Sequence, residues 1–208
     1  MNVLFNVHYD MQPDELQGKN VLVFLAPPPP SRNITGLAWR VLTASAGAVE
    51  SFQMNDVVSV AVAGRDADGK PVNSEKVTVQ PGQLFWATNP DSQALKLAPG
   101  PDALAHDRLL PRQYGLTNRT DPGLQLDCTW YMADAPALTM PAVDSGMTTT
   151  FDGSQSLYFV VAEAPQVGEG MAQAFSDAAM YMIPANVSEV NVSLKRKRGM
   201  WVFDFGIV

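Results

Sequence analysis

Residues 188–206, SEVNVSLKRKRGMWVFDFG, decide the fold class. Val190, Val192 and Leu194 alternate with Asn191, Ser193 and Lys195, and after a basic turn containing Gly199 the residues Trp201, Phe203 and Phe205 alternate with Val202 and Asp204. Period-two alternation belongs to a strand with one apolar and one wet face, so the segment predicts a β-hairpin. A hairpin alone is only marginally stable in water. This one is therefore expected to pair with further strands and to form part of a core.

Strand-like runs recur upstream at residues 3–9, 20–26, 37–43, 57–63, 76–80, 84–87, 124–132, 157–162 and 179–183, separated by Gly, Pro, Asn and Asp. Short strands with such punctuation predict an all-β fold, an antiparallel β-sandwich of Greek-key or jelly-roll type. The clearest internal hairpin joins 57–63 to 75–80 through GRDADGKPVNS, where Asp68-Gly69 suits a turn. Few short helices are expected: 101–110, with Pro101 at its start and Pro111 stopping it, and 170–177. Pro27 to Pro30 read as a polyproline II exit from a strand.

The reading is one sandwich domain over 1–208. A subdomain boundary within 98–123 is the alternative, because that stretch is rich in turn formers and poor in alternation.

With 208 residues, 46% of them hydrophobic, the chain can bury a core without disulfides or metal. A net charge of −7 argues against nucleic acid and anionic lipid as partners, since their phosphates would be repelled. The first residues, MNVLFNVHYDMQPDEL, lack the pattern of a signal peptide, and no apolar run reaches the roughly 18 residues that span a bilayer. A soluble cytoplasmic protein is expected, with leaderless export as the alternative. Cys128 is the one cysteine, so no intramolecular disulfide can form. N-x-S/T sequons stand at Asn33, Asn118, Asn186 and Asn191, and without a leader they are read as idle.

No residue set announces catalysis. His8 and His106 are the only histidines, too few for an imidazole-built zinc site, so no metal or other cofactor is expected. His8 and Asp10 share a strand face in V-H-Y-D and are read as a surface pair. His106-Asp107 with Cys128 would supply a thiol and an oriented base, but Cys128 alternates with Leu124, Leu126 and Trp130, the pattern of a packed strand. Asp66, Asp68 and Gly69 stop short of a calcium loop and are read as a turn. Asp14-Glu15 is one of many acidic pairs that 21 acidic residues produce by chance. The basic cluster Lys195 to Arg198 is read as a solvated hairpin tip.

Aromatic residues give the best hint of a binding surface. Trp39, Trp86, Trp130 and Trp201 all fall in predicted strands, while Met171, Met180, Met182 and Met200 gather late in the chain. Trp39, Trp86, Trp130, Tyr131 and His106 are the candidate ligand-binding residues, with core packing as the competing account of the tryptophans.

Leu37-Ala38-Trp39, the V-x-P-G-x-L-F-W-A run from Val79 to Ala87, and G-E-G-M from Gly168 to Met171 precede the closing W-V-F-D-F-G. In order and spacing this resembles the RhiA-type proteins of soil and plant-associated bacteria, over about residues 37–206. The resemblance implies a small soluble β protein with no established catalytic residue set. The chain departs from that pattern at Ala172-Gln173-Ala174-Phe175, and its first 36 residues have no counterpart.

Taken together, the residues predict a non-catalytic protein that binds a small molecule or carbohydrate through aromatic strand faces, or self-associates into a homo-oligomer. Two readings compete with it. One is a motif-less enzyme using carboxylate and tyrosine chemistry in a pocket between β layers; the other is a structural or storage protein.

Overall fold

The computed structural model describes residues 2–12, 15–16, 18–25, 34–43, 45–90, 94–153, 156–163, 167–168 and 178–208. Pro27 to Pro30, Asn33, Asp14 and the expected helix at 170–177 lie outside them, as do Glu169, Gly170 and Met171 of the G-E-G-M motif.

In chain order the elements are β1 (Asn2–Tyr9), β2 (Lys19–Phe24), β3 (Thr35–Gly36), β4 (Arg40–Leu42), β5 (Val49–Asn55), β6 (Val58–Arg65), β7 (Pro71–Asn73), β8 (Val77–Val79), β9 (Leu84–Thr88), β10 (Lys96–Pro99), α1 (Asp102–Arg108), β11 (Gln113–Asn118), β12 (Leu126–Met132), β13 (Ala135–Val143), β14 (Thr148–Asp152), β15 (Ser156–Glu163), β16 (Ala179–Met182), β17 (Glu189–Lys197) and β18 (Met200–Ile207). The fold is all-β and sandwich-like, with one short helix among the described residues.

The chain divides into two compact units. Unit 1 comprises Met1–Asp56, Ala135–Ala137 and Ser154–Val208; unit 2 comprises Val57–Asp134 and Leu138–Gly153. Residues 98–123, which hold α1 and β11, fall wholly inside unit 2.

Unit 1 has two four-stranded sheets, ordered β18-β17-β1-β5 and β16-β15-β2-β4. The closing hairpin turns on Arg198 and Gly199, both at positive φ (52° and 83°), between paired Lys197 and Met200. Two central residues at positive φ match the twist of the flanking strands. The hairpin docks through β17 onto β1 in parallel, Val7 opposite Val192 and Phe5 opposite Val190. Phe5 of the first sheet stacks on Phe52 at 5.0 Å and meets Phe159 of the second at 6.4 Å, so the two sheets share an aromatic core. β2 is apolar on both faces, since Leu22 and Phe24 pack in a second cluster with Ala38 and Val160. Burial on both sides is why its sequence reads as a continuous apolar run rather than an alternation.

Unit 2 repeats the plan with different connections. Its mixed sheet is β10-β9-β11-β14, whose central pair β9 and β11 is again parallel. The facing sheet pairs β12 with β6 in antiparallel register, and β6 pairs in turn with β7 and β8. This is the expected internal hairpin, split by the turn at Asp66 to Lys70. Trp130 of β12 stacks on Phe151 of β14 at 5.5 Å and meets Tyr114 of β11 at 6.3 Å, closing the core. Ala105 of helix α1 and Leu109, the residue that follows it, pack on Leu84 of β9.

Candidate functional site

Along β12 the side chains of Leu126, Cys128, Trp130 and Met132 are buried while Asp127, Thr129 and Tyr131 face outward. The neighbouring β6 buries Val58, Val60 and Val62, and turns the small Ala61 and Ala63 to the same outer face. Gly64, next along β6, lies opposite Leu126, and a Cβ there would come within 2.9 Å of the leucine side chain and 3.0 Å of the Gln125 carbonyl. A larger residue there would have to displace the Leu126 side chain and press on the Gln125 carbonyl, so the close strand approach at this end of the sheet favours glycine.

Register now produces the main feature. Ala63 is directly opposite Asp127 on one side and Asn73 on the other, which makes a row Asp127, Ala63, Asn73 across three adjacent strands. Two strand spacings put the outer pair of backbones about 9 to 10 Å apart with only a methyl group between them. The result is an open trough of about 520 Å³, floored by Ala63 and walled by Asp127 and Gln125 on one side and by Asn73 and Pro71 on the other. The next rows along the same face are Thr129 with Ala61 and Tyr131 with Ser59, so Tyr131 stands beyond the alanine floor. Lys76 lies 5.2 Å from the Tyr131 ring and pairs with Asp134 at 2.6 Å. The Lys76 ammonium holds the Asp134 carboxyl below the usual carboxylate range.

The walls are held by local bonds. Asp127 Oδ1 accepts the Ala142 N–H at 3.0 Å, and Gln125 Nε2 donates to Asp144 at 2.8 Å. Asn73 is exposed, with no side-chain partner among the described residues. At one end Arg65 donates to the Gly69 carbonyl at 2.9 Å, and Asp66 Oδ1 accepts the N–H groups of Asp68 and Lys70, the geometry of a self-capped turn rather than a calcium loop. Arg65 and Gly123 also line a neighbouring cleft of about 270 Å³, where Asn89 and Asp121 bond reciprocally at 2.7 and 3.0 Å.

No family model, curated protein or solved structure matches this chain.

The five aromatic and histidine candidates do not form one site. Trp39 and Trp130 are fully buried and present no face to solvent; they are core residues of unit 1 and unit 2 respectively. Arg40 lies 4.1 Å from the Trp39 ring, and its own burial lowers its pKa from the usual guanidinium value. Trp86 is half-buried on β9, with Arg119 stacked at 4.0 Å and Gly100 packed against its indole nitrogen. His106 is exposed on α1. Tyr131 alone lies on the face that carries the trough. Asp127 was legible as an outward residue of an alternating strand, but Ala63, Asn73 and Gln125 carry no sequence signal of their own until strand pairing aligns them.

The remaining candidates resolve into structural roles. Cys128 is fully buried and burial pushes its thiol up, the opposite of what a nucleophile needs. His8 on β1 and Asp10 just beyond its end both face β17, His8 Nε2 lying 3.3 Å from Asn191 Oδ1 and Asp10 accepting from Ser193 at 2.5 Å. Among the described residues no three His, Cys, Asp or Glu side chains cluster as metal ligands. Lys195 and Lys197 reach Asp204 at 3.3 and 3.8 Å, and Arg196 lies 5.4 Å from the Trp201 ring. No helix among the described residues is long and apolar enough to cross a membrane.

Proposed function

We propose that the protein is a non-catalytic binding module whose trough on β6, β7 and β12 takes a polar, glycan-like ligand. The row Asp127, Ala63, Asn73 carries this reading. It sets a carboxylate and a carboxamide on either side of a floor that carries only the Ala63 methyl group. Sugar hydroxyls both donate and accept, so they can donate to the Asp127 carboxylate and exchange hydrogen bonds with the Asn73 carboxamide. The trough is open and shallow, which suits an extended chain lying across strands better than a small apolar molecule needing enclosure. Tyr131 supplies an aromatic ring farther along the same face.

A panel of neutral and acidic oligosaccharides, screened on an array and followed by calorimetry, tests the reading. A bound glycan should lose about tenfold or more in affinity in Asn73→Ala, because one hydrogen bond to a polar group is worth about that much. Ala63→Gln, which fills the floor, should abolish binding. Failure of the folded chain to bind any member of the panel, or binding indifferent to both substitutions, would refute it.

A further inference from the structure

The edge of unit 1 bears a self-complementary strand. β17 serves β1 with its even-numbered residues, since Leu4 N–H donates to Ser188 O and Asp10 N–H to Leu194 O. Its odd-numbered residues therefore serve β18, as the Val208 N–H to Glu189 O bond also shows. Their partners on β18 are Met200, Val202, Asp204 and Gly206. The N–H and C=O groups of Trp201, Phe203, Phe205 and Ile207 consequently point to the open side, and among the described residues β18 pairs with β17 alone.

Edge strands are usually blunted by proline, by lysine or by being short. β18 has eight residues, no proline and no basic residue, and its one charge, Asp204, is engaged by Lys195 and Lys197. Of the other edge strands, β4 and β16 are only three and four residues long, β10 ends at Pro99 and β7 begins at Pro71, while β5 and β14, like β18, have no proline and no basic residue but are shorter.

We propose that β18 pairs antiparallel with β18 of a second copy of this chain, about a two-fold axis at Phe203. Hydrogen-bond parity requires odd residues to face odd residues. An axis at Asp204 would set two Asp204 carboxylates directly opposite one another, which is destabilising. The axis at Phe203 avoids this: Asp204 faces Val202, and Trp201 faces Phe205, two half-buried aromatics that cover each other. It also sets Met200, 60% exposed, opposite Gly206, whose missing side chain leaves a gap; a Cβ there would meet only the Asn191 carbonyl at 3.9 Å. About six main-chain hydrogen bonds would join the copies into one eight-stranded sheet.

Disulfide trapping tests both the contact and its register. Met200 and Gly206 form a non-hydrogen-bonded pair in this arrangement, at a Cα separation near 4.5 Å that a disulfide can bridge. An equimolar mixture of Met200→Cys and Gly206→Cys chains, mildly oxidised, should give a covalent species of twice the 22.5 kDa chain mass, and neither chain alone should. Cys128, being buried, stays out of the reaction. The wild type should sediment as a dimer, and Gly206→Lys as a monomer with an unchanged circular dichroism spectrum. A monomeric wild type, a mixture that does not cross-link, or an Asp204→Cys chain that cross-links to itself would each overturn the proposal.

Discussion

Thr120 Oγ1 donates a hydrogen bond to Asn118 Oδ1 at 2.6 Å, so the two defining residues of one sequon are bound to each other inside unit 2. Asn118 is fully buried, and its Nδ2 also donates to the carbonyls of Leu124 at 2.9 Å and Val143 at 2.8 Å. The side chain thereby ties the end of β11 to the following loop and to the end of β13.

Replacing Asn118 by Ala should therefore be costly. It strips two carbonyls of a donor and the Thr120 N–H and hydroxyl of an acceptor, and each buried polar group left unsatisfied costs about 1 to 3 kcal/mol. Urea denaturation should show a loss of about 3 kcal/mol or more, whereas Asn186→Gly, at an exposed turn where residue 186 has φ 68° and glycine fits without strain, should change stability by less than about 1 kcal/mol. Equal losses in the two variants would contradict the role given to Asn118.

Cys128 offers a second check. Its thiol is enclosed in the unit 2 core, and burial outweighs the hydrogen bond with Thr149 that opposes the upward shift. A thiol-specific chromogenic reagent at neutral pH should leave it unmodified in the folded chain and titrate one thiol in denaturant. Rapid labelling without denaturant would show that this core opens.

Glu50 gives the pH dependence. Burial raises its carboxyl above the ordinary 4.5, against the opposing hydrogen bonds from Tyr9 and the Thr43 backbone. The folded state therefore holds the proton more tightly than the unfolded chain. The stability this contributes is fully present below pH 4.5 and is lost as pH rises through the raised value. Glu50→Gln keeps an acceptor for the Tyr9 hydroxyl, which stands 3.3 Å away, and removes the titration. Its urea midpoint should gain on that of the wild type between pH 4 and 7, and parallel curves would dismiss the effect.

Much of the architecture was legible because period-two patterning reports which side of a strand is wet. The alternation of β1, of β12 and of the β17 arm of the closing hairpin reappears in their burial, whereas in the β18 arm Phe203 alone is buried. β11 escaped notice for the converse reason. Tyr114 to Asn118 are all buried, Gly115 against Leu84 and Leu109, so no alternation remains to be read. The candidate site was legible only through Tyr131 and the outward face of β12, because alanine and asparagine on a strand are ordinary until their neighbours are known.

Composition and alternation alone determined that this chain stacks β layers on aromatic and aliphatic side chains and that its last residues form a hairpin. Only the tertiary structure decided that β1 runs parallel to β17 and β9 to β11, that Trp39 and Trp130 are enclosed, and that Asp127, Ala63 and Asn73 fall in one row. The physical reason is that sidedness is a local property of the backbone. The partner, direction and register of a strand are instead set by burial of the whole core, among residues far apart in the chain.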